Sequence, residues 1–312
     1  MLDKKHIKYF KKILPVDFVL SEEGDCWAYG YDNSKMHVMP ECVLFADSKA
    51  QIKDIVQYCF ENTIPITTRG RGTGNTGGSV PIENSVVLSL EKMNKIIDID
   101  ISNRLAVVQP GVINKTLQDE LHKENFFWGP DPSSQDYSTI GGNIANNSAG
   151  PRAIKYGTPR DNILGLEFIS GTGEIHKTGV KTSKGVVGLD LTRLFVGSEG
   201  VLGILSEATL KILPLNNSVK TFEITFETLK SASDMIIMLM TQPITPYKLE
   251  FVDEQSVKLI NSIKKNHFEI NTKSAVLLEI DGDVDFIDIQ SKKLLKLMQS
   301  KEHKKITIAE NK

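Results

Sequence analysis

The chain has 312 residues, 40% hydrophobic and 24% charged, with 37 Lys and Arg set against 39 Asp and Glu for a net charge of -2. These are the proportions of a globular protein, and the length suits about two domains at roughly 150 residues each. They exclude a disordered chain, a collagen-like fibre and a disulfide-dense miniprotein, and they give no global basic field for nucleic acid. The densest apolar stretch, 235–240, falls far short of the roughly 20 residues that span a bilayer, so no integral membrane segment is expected. The N-terminus lacks an apolar signal core. Cys26, Cys42 and Cys59 include no CxxC pair, which suits a reducing cytoplasm and argues against a zinc ribbon or a cysteine-held cluster.

In chain order, residues 1–12 hold five lysines, with Ile7, Phe10 and Ile13 along one side of a short helix that is expected to be solvated. Cys42 to Ala46 is an apolar run of strand length. Ser48 and Gln51 read as a capping box. Ile52, Ile55, Val56, Cys59 and Phe60 then follow helical spacing, and Ile64 to Thr67 resumes as a strand. Strand, helix and strand at this spacing predict a βαβ unit with parallel strands. Further short strands are expected at Ser85–Leu90, Ile96–Ile99 and Leu105–Val108, and a helix after Asn114. A long loop is read over Gly129–Gly142, then a second Gly/Asn/Ala-rich stretch over Gly141–Gly150. Gly171-Thr172-Gly173 marks a hairpin, and Val201 to Leu213 is strand-like. Near Asn216-Asn217-Ser218 glycine thins out and a β-α-β-α-β-α-β order begins.

The second strand of the βαβ unit runs into Arg69-Gly70-Arg71-Gly72-Thr73-Gly74-Asn75-Thr76-Gly77-Gly78. Five glycines in nine residues cost too much entropy for ordinary punctuation. Without side chains, several backbone N–H groups can converge on a phosphate, and Arg69 and Arg71 would add charge for a pyrophosphate. Gly72, Gly74 and Gly77 formally satisfy GxGxxG, with Asp98 at the distance of a dinucleotide-fold acid. That motif needs a helix to open inside the glycines, and here the chain goes on to the β-like Val86–Leu90. A Walker loop also fails, because no GK[ST] closes the cluster.

The glycine cluster and the following Val86-Val87-Leu88-Ser89-Leu90-Glu91-Lys92-Met93-Asn94 resemble the pyrophosphate loop of FAD-linked oxidases with the vanillyl-alcohol-oxidase, or PCMH-type, flavin domain. The likeness continues through Val107 to Val112, Pro130 to Ser134, Thr139 to Ala145, Lys155-Tyr156-Gly157 and Asp190 to Ile204. It is strongest toward the D-lactate dehydrogenase / glycolate oxidase FAD-subunit group. The resemblance implies an α+β fold in which a PCMH-type FAD-binding domain is built from two α+β subdomains. One is a small parallel βαβ part (about 25–94) and the other a larger mixed or antiparallel sheet (95–217). A helical segment, 1–24, would precede them, and an incomplete α+β cap, 218–312, would follow. It implies non-covalent FAD, since residues 69–78 hold no His or Cys.

The same resemblance implies that the backbone from Arg69 through Gly70, Arg71, Gly72, Thr73, Gly74, Asn75 and Gly77 to Gly78 cradles the pyrophosphate. Pro132, Ser133 and Thr139 would lie along the ribityl and flavin side. Gly141, Gly142, Asn143, Ala145 and Gly150 would let backbone approach the flavin closely. Ile204 would line the adenine end, and Glu199 joins the cofactor set. The implied chemistry is hydride transfer from a small D-2-hydroxy acid to flavin. An iron–sulfur subunit, a second flavin subunit, a cytochrome or a quinone would take the electrons, in the cytoplasm or at the inner face of the membrane.

Departures from the family pattern are visible. Gly185 and Leu189 stand where the group has Asn and Tyr, and Pro151-Arg152-Ala153 follows Gly150 where an apolar residue usually precedes the Arg. The family motif H-x-G-D-G-N-x-H, whose histidines help hold a metal and the substrate carboxylate, is absent. No metal site and no catalytic residue are therefore assigned, with Arg152, Lys155 and Glu199 as isolated candidates. The expectation is a second domain that stops early, and the competing readings are a truncated or accessory FAD-binding subunit and a non-redox nucleotide-binding module.

Overall fold

The computed structural model describes residues 3–182, 184–264 and 267–309. The chain forms two compact units. One runs to Gly150 and resumes over Thr158–Pro214; the other takes Pro151–Gly157 together with residues from Leu215 onward.

The first unit begins with α1 (Lys4–Ile13), β1 (Val19–Leu20) and the single turn α2 (Glu23–Cys26). β2 (Cys42–Phe45), α3 (Lys49–Glu61), β3 (Ile66–Arg69) and β4 (Val86–Ser89) follow. Ser48 caps α3 by accepting from Gln51 N–H. The reciprocal arm of the expected capping box reaches one residue further back, with Gln51 Oε1 accepting from Asp47 N–H at 2.9 Å. Ile52, Ile55, Val56 and Cys59 are buried, while Phe60, at the edge of that stripe, stays 62% exposed.

The strands are parallel as expected, but β2 and β3 are not neighbours. The sheet order is β1-β2-β4-β3, with β4 parallel to both flanking strands. Val86, Val87 and Leu88 are fully buried, and a continuous apolar strand of that kind belongs in a sheet centre. The half-buried Ile66-Thr67-Thr68 suits the edge. α1 is not the solvated helix expected: His6 and Phe10 are buried, and Tyr9 stacks on Tyr58 of α3 at 3.6 Å between ring centroids.

A second, antiparallel sheet completes this unit. Its strands are β5 (Ile96–Asp100), β6 (Leu105–Val108), β7 (Phe126–Trp128), β8 (Ile163–Ile169), β9 (Ile175–Gly179) and β10 (Ile204–Pro214). The order is β5-β6-β10-β8-β9, with β7 also paired to β10. α4 (Asn114–Lys123), α5 (Ile140–Ala145) and α7 (Leu191–Phe195) accompany it. α5 occupies a stretch that reads as loop, because Gly141, Gly142 and Asn143 are poor helix formers. It forms because Thr139 caps it and because Ile140 and Ile144, one turn apart, are fully buried. The mixed parallel and antiparallel sheets with their helices make the fold α+β.

The second unit holds α6 (Ala153–Tyr156), β11 (Ser218–Phe226), α8 (Leu229–Thr241), β12 (Lys248–Val252), α9 (Glu254–Ile263), β13 (Ser274–Gly282), α10 (Val284–Gln299) and β14 (Lys305–Ala309). Its antiparallel sheet runs β12-β13-β11-β14. Phe222, Ile224, Phe226 and Leu278 of that sheet form one core with Met235 of α8 and Leu294 of α10.

Candidate functional site: a glycine-lined cofactor cavity

β3 and β4 are adjacent parallel strands, and the chain joining them, residues 70–85, is a crossover without a helix. It carries the glycine cluster. Both ends are pinned: Ile66 pairs with Val86, and Leu90 N–H donates to Arg69 carbonyl oxygen at 3.0 Å. The loop frames a cavity of about 400 Å³, within the range of ligand pockets. Gly70, Arg71, Gly72, Thr73, Gly74, Asn75 and Gly78 line it on one side. Pro132, Ser133, Thr139, Gly141, Gly142, Asn143 and Ala145 line another, and Glu199 a third. Segments far apart in sequence thus converge on one space.

Four of the expected residues are placed elsewhere. Arg69 is buried beneath the loop, where its guanidinium donates to Tyr31 carbonyl oxygen at 2.7 Å and lies over the Tyr29 ring. Burial pulls its pKa below the usual arginine value, and the Asp32 carboxylate opposes that shift. Arg69 therefore braces the loop, and of the two arginines only Arg71 faces the cavity, half exposed and paired with Glu91 at 3.0 Å. Gly77 is absent from the lining; it sits at φ 82°, and the side on which a Cβ would stand is taken by Met36. Gly150 is also absent, and its missing Cβ space is filled by the Asp131 backbone. Ile204 is buried in the core around α3, while its neighbour Leu205, on the opposite face of β10, lines the cavity.

The glycines fall into two groups. At Gly70 an added Cβ would meet Thr139 Oγ1 at 2.4 Å, and at Gly141 it would meet Pro110 carbonyl oxygen at 2.9 Å. There the protein itself fills the space. At Gly74 the nearest atom is Asp32 Oδ2, 3.8 Å away, and at Gly200 it is Thr68 Cβ, 3.9 Å away. Both residues line the cavity, so a side chain at either would enter the cavity itself. A ligand that needs bare backbone along its length fits this cradle.

A buried polar network supports the floor. Asn143, 1% exposed, donates to Ser138 Oγ at 3.1 Å and accepts from Asn114 at 2.9 Å. Gln118 exchanges hydrogen bonds with the Trp128 backbone. Glu199 sits at φ 53°, and its N–H donates to Ala145 carbonyl oxygen at the end of α5. That bond fixes the Ser198–Gly200 turn against the cavity.

Sequence reasoning missed the segment Tyr31–His37. Asp32 is 2% exposed and lines the cavity; Oδ1 accepts from Ser34 N–H at 2.8 Å, and Oδ2 is a buried atom without a hydrogen-bond partner. Asn33 N–H donates to Gly74 carbonyl oxygen at 2.9 Å, so this segment clasps the loop. A second, more open cavity of about 560 Å³ adjoins through Asp32, Gly72, Thr73 and Ser134 and carries Trp27, Tyr31 and His37. The available signal was Asp32-Asn33-Ser34, a turn-forming run in which an Asp carboxylate bonds the backbone two residues on.

In the second unit, Asp281 is 7% exposed and gathers three donors. They are Lys155 Nζ, Tyr156 Oη at 2.5 Å and Asn216 Nδ2 at 2.8 Å. Burial, reinforced by the hydrogen bond to Asp281, pushes the Tyr156 hydroxyl far above its ordinary pKa. Lys155 is thus committed to holding the 151–157 segment. Arg152 lies over the Tyr247 ring at 5.4 Å. Among the described residues no three of His, Cys, Asp and Glu converge as a metal site.

Comparison with known proteins agrees with this geometry. The family model described as FAD binding domain matches residues 40–179, and that described as FAD linked oxidases, C-terminal domain, matches residues 215–312. The chain is 39% identical over 267 residues to glycolate oxidase subunit GlcD of Bacillus subtilis (strain 168), covering 85% of this chain and 57% of that protein. It is 36% identical over 253 residues to D-lactate dehydrogenase of Anaerostipes hadrus, covering 80% and 53%. Among solved structures, alkyldihydroxyacetonephosphate synthase superposes with a TM-score of 0.83 at 20% identity, over 96% of this chain and 60% of that one. The chain belongs to the FAD-linked oxidase family with a PCMH-type FAD-binding domain, and it is related to the glycolate oxidase GlcD and D-lactate dehydrogenase group. It spans a little over half the length of these relatives. Its cofactor is FAD, held non-covalently.

Proposed function

We propose that this chain carries the flavin of an oxidoreductase acting on a small D-2-hydroxy acid of the lactate or glycolate type. The observation that carries the reading is the cavity: a glycine crossover facing the Thr139–Ala145 helix, in a chain similar to glycolate oxidase and D-lactate dehydrogenase proteins. FAD, when bound, supplies the two-electron acceptor for the hydride of the substrate α-carbon. The protein's part is to hold and orient it. Backbone N–H groups of residues 70–78 would take the pyrophosphate, with Arg71 as the facing cation and Arg69 bracing the loop from below. Pro132, Ser133, Gly142 and Glu199 would bound the flavin side, and the Asn143 network would keep that wall fixed. Electrons would pass to a quinone, a cytochrome, or an iron–sulfur or second flavin subunit. Three buried, unbridged thiols suit a reducing, cytoplasmic setting.

A second reading follows from the share of the relatives' length that this chain spans. The chain would then be an FAD-carrying subunit whose carboxylate clamp and proton acceptor come from outside residues 1–312. Lys155 favours it, because that cation is engaged by Asp281. Anaerobic titration with D-lactate and D-glycolate separates the two. Bleaching of the flavin band by a D-acid, with the L-enantiomers inert, supports turnover. A flavin-loaded chain that no 2-hydroxy acid bleaches leaves only the subunit reading.

A further inference from the structure

α1 is attached to the first unit along one side only. His6 and Phe10 are buried, Ile7 and Ile13 pack against the core, and Tyr9 stacks on Tyr58. Lys4, Lys5, Lys8, Lys11 and Lys12 are all exposed. At 100° per residue they fall within an arc of about 120° on the opposite side. The helix itself holds no acidic residue, and Asp3, its N-cap, pairs with Lys5 at 3.7 Å. The result is a stripe of positive charge roughly 15 Å long, fixed on a chain whose net charge is -2.

The kind of charge indicates the partner. All five cations are Lys and none is Arg. Arginine is the residue suited to bidentate recognition of a placed phosphate or carboxylate; lysine is a hydrated point charge on a flexible stem. Five such charges spread over one face, on a helix whose apolar side is already buried, suit a fluid, flat, anionic surface better than a shaped acidic pocket. The burial of that apolar side also excludes insertion of the helix into a bilayer, since the residues that would insert are in the core. We propose that α1 docks this protein, weakly and reversibly, on an anionic lipid surface. A polybasic stripe is one membrane signal, and stable anchoring takes two, so the docking is salt-sensitive.

The test is co-sedimentation of the full chain with vesicles of phosphatidylcholine alone or mixed with phosphatidylglycerol. The chain should pellet with the mixed vesicles, stay in solution with the neutral ones, and be released as ionic strength rises. Each of Lys4→Gln, Lys8→Gln, Lys11→Gln and Lys12→Gln should weaken binding roughly fivefold, and the four together should abolish it. Arginine at the same four positions should keep it, which separates lost charge from a damaged helix. Equal sedimentation with both vesicle types overturns the proposal. So does a quadruple Gln variant that binds like the unmodified chain, or binding to polyglutamate without binding to anionic vesicles. None of these readouts depends on substrate turnover.

Discussion

Gly70 and Thr139 are the point at which the glycine crossover touches the cap of α5, and their coupling can be measured. In Gly70→Ala the new Cβ would fall 2.4 Å from Thr139 Oγ1, so something must shift. Overpacking of this kind typically costs about 1–3 kcal/mol. Thr139→Ala removes the acceptor for Gly142 N–H, now at 3.1 Å, and loss of such a cap costs about 1 kcal/mol. If the two sites were independent, the double variant would lose the sum, about 3 kcal/mol. They share one atom, however. Once Oγ1 is gone, the methyl introduced by Gly70→Ala has only Thr139 Cβ at 3.6 Å for company, an ordinary contact. Gly70→Ala should then be close to neutral in the Thr139→Ala background. For a unit of this size 1 kcal/mol is about 2–4 °C in Tm. Thermal scans of the four flavin-free proteins should therefore show Gly70→Ala lowering Tm by several degrees alone and hardly at all beside Thr139→Ala. Both residues line the cavity, so FAD titrations should show Gly70→Ala binding more weakly as well. An equal Tm loss in both backgrounds would refute the reasoning.

Further outcomes are expected elsewhere. Asp281→Ala should cost about 3 kcal/mol or more, because it removes the buried carboxylate that accepts from Lys155, Tyr156 and Asn216, whereas Tyr156→Phe should cost about 1 kcal/mol; urea unfolding compares them. Burial pushes the Cys59 thiol up to about 12 and raises Cys42 as well. A folded-state pKa raised above the unfolded value of about 9 makes a contribution that is complete below pH 9 and lost between there and about 12, so the urea midpoint should fall over that window and fall less steeply in Cys59→Ala. The same burial predicts that a thiol reagent at pH 8 labels nothing in the native chain and all three cysteines in denaturant. Val187→Ser, at a position 95% exposed, should move stability by less than about 0.5 kcal/mol in the same unfolding assay.

The strands and long helices were legible because their spacing is strong. α3 with its Ser48 cap and the whole β-α-β-α-β-α-β order after residue 217 can be read from periodicity and turn residues. The position of β4 between β2 and β3 could not, since sheet order is a matter of which strand tolerates an edge. α5 was hidden by its glycines, whose helix is held by burial of Ile140 and Ile144 and not by propensity. At the site, glycine spacing located the cradle, but residue type did not say which way a side chain points. Arg69 and Ile204 lie one residue from positions that line or flank the cavity and face away from it. Gly150 is small because Asp131 presses on it. Asp32 is remote in sequence from every glycine it faces, so only the folded chain reveals it.

The helix-free crossover between β3 and β4 also bears on how the chain would survive being cut. Its ends belong to neighbouring parallel strands whose registers are set by Ile66↔Val86 and Arg69↔Ser89, independently of the residues between. A single proteolytic nick within 71–79 would leave both fragments held by that pairing and by the core behind it. The nicked protein would keep its sheet and migrate as one particle, yet its cradle would have free ends, so grip on a cofactor and integrity of the fold would part company at this one segment.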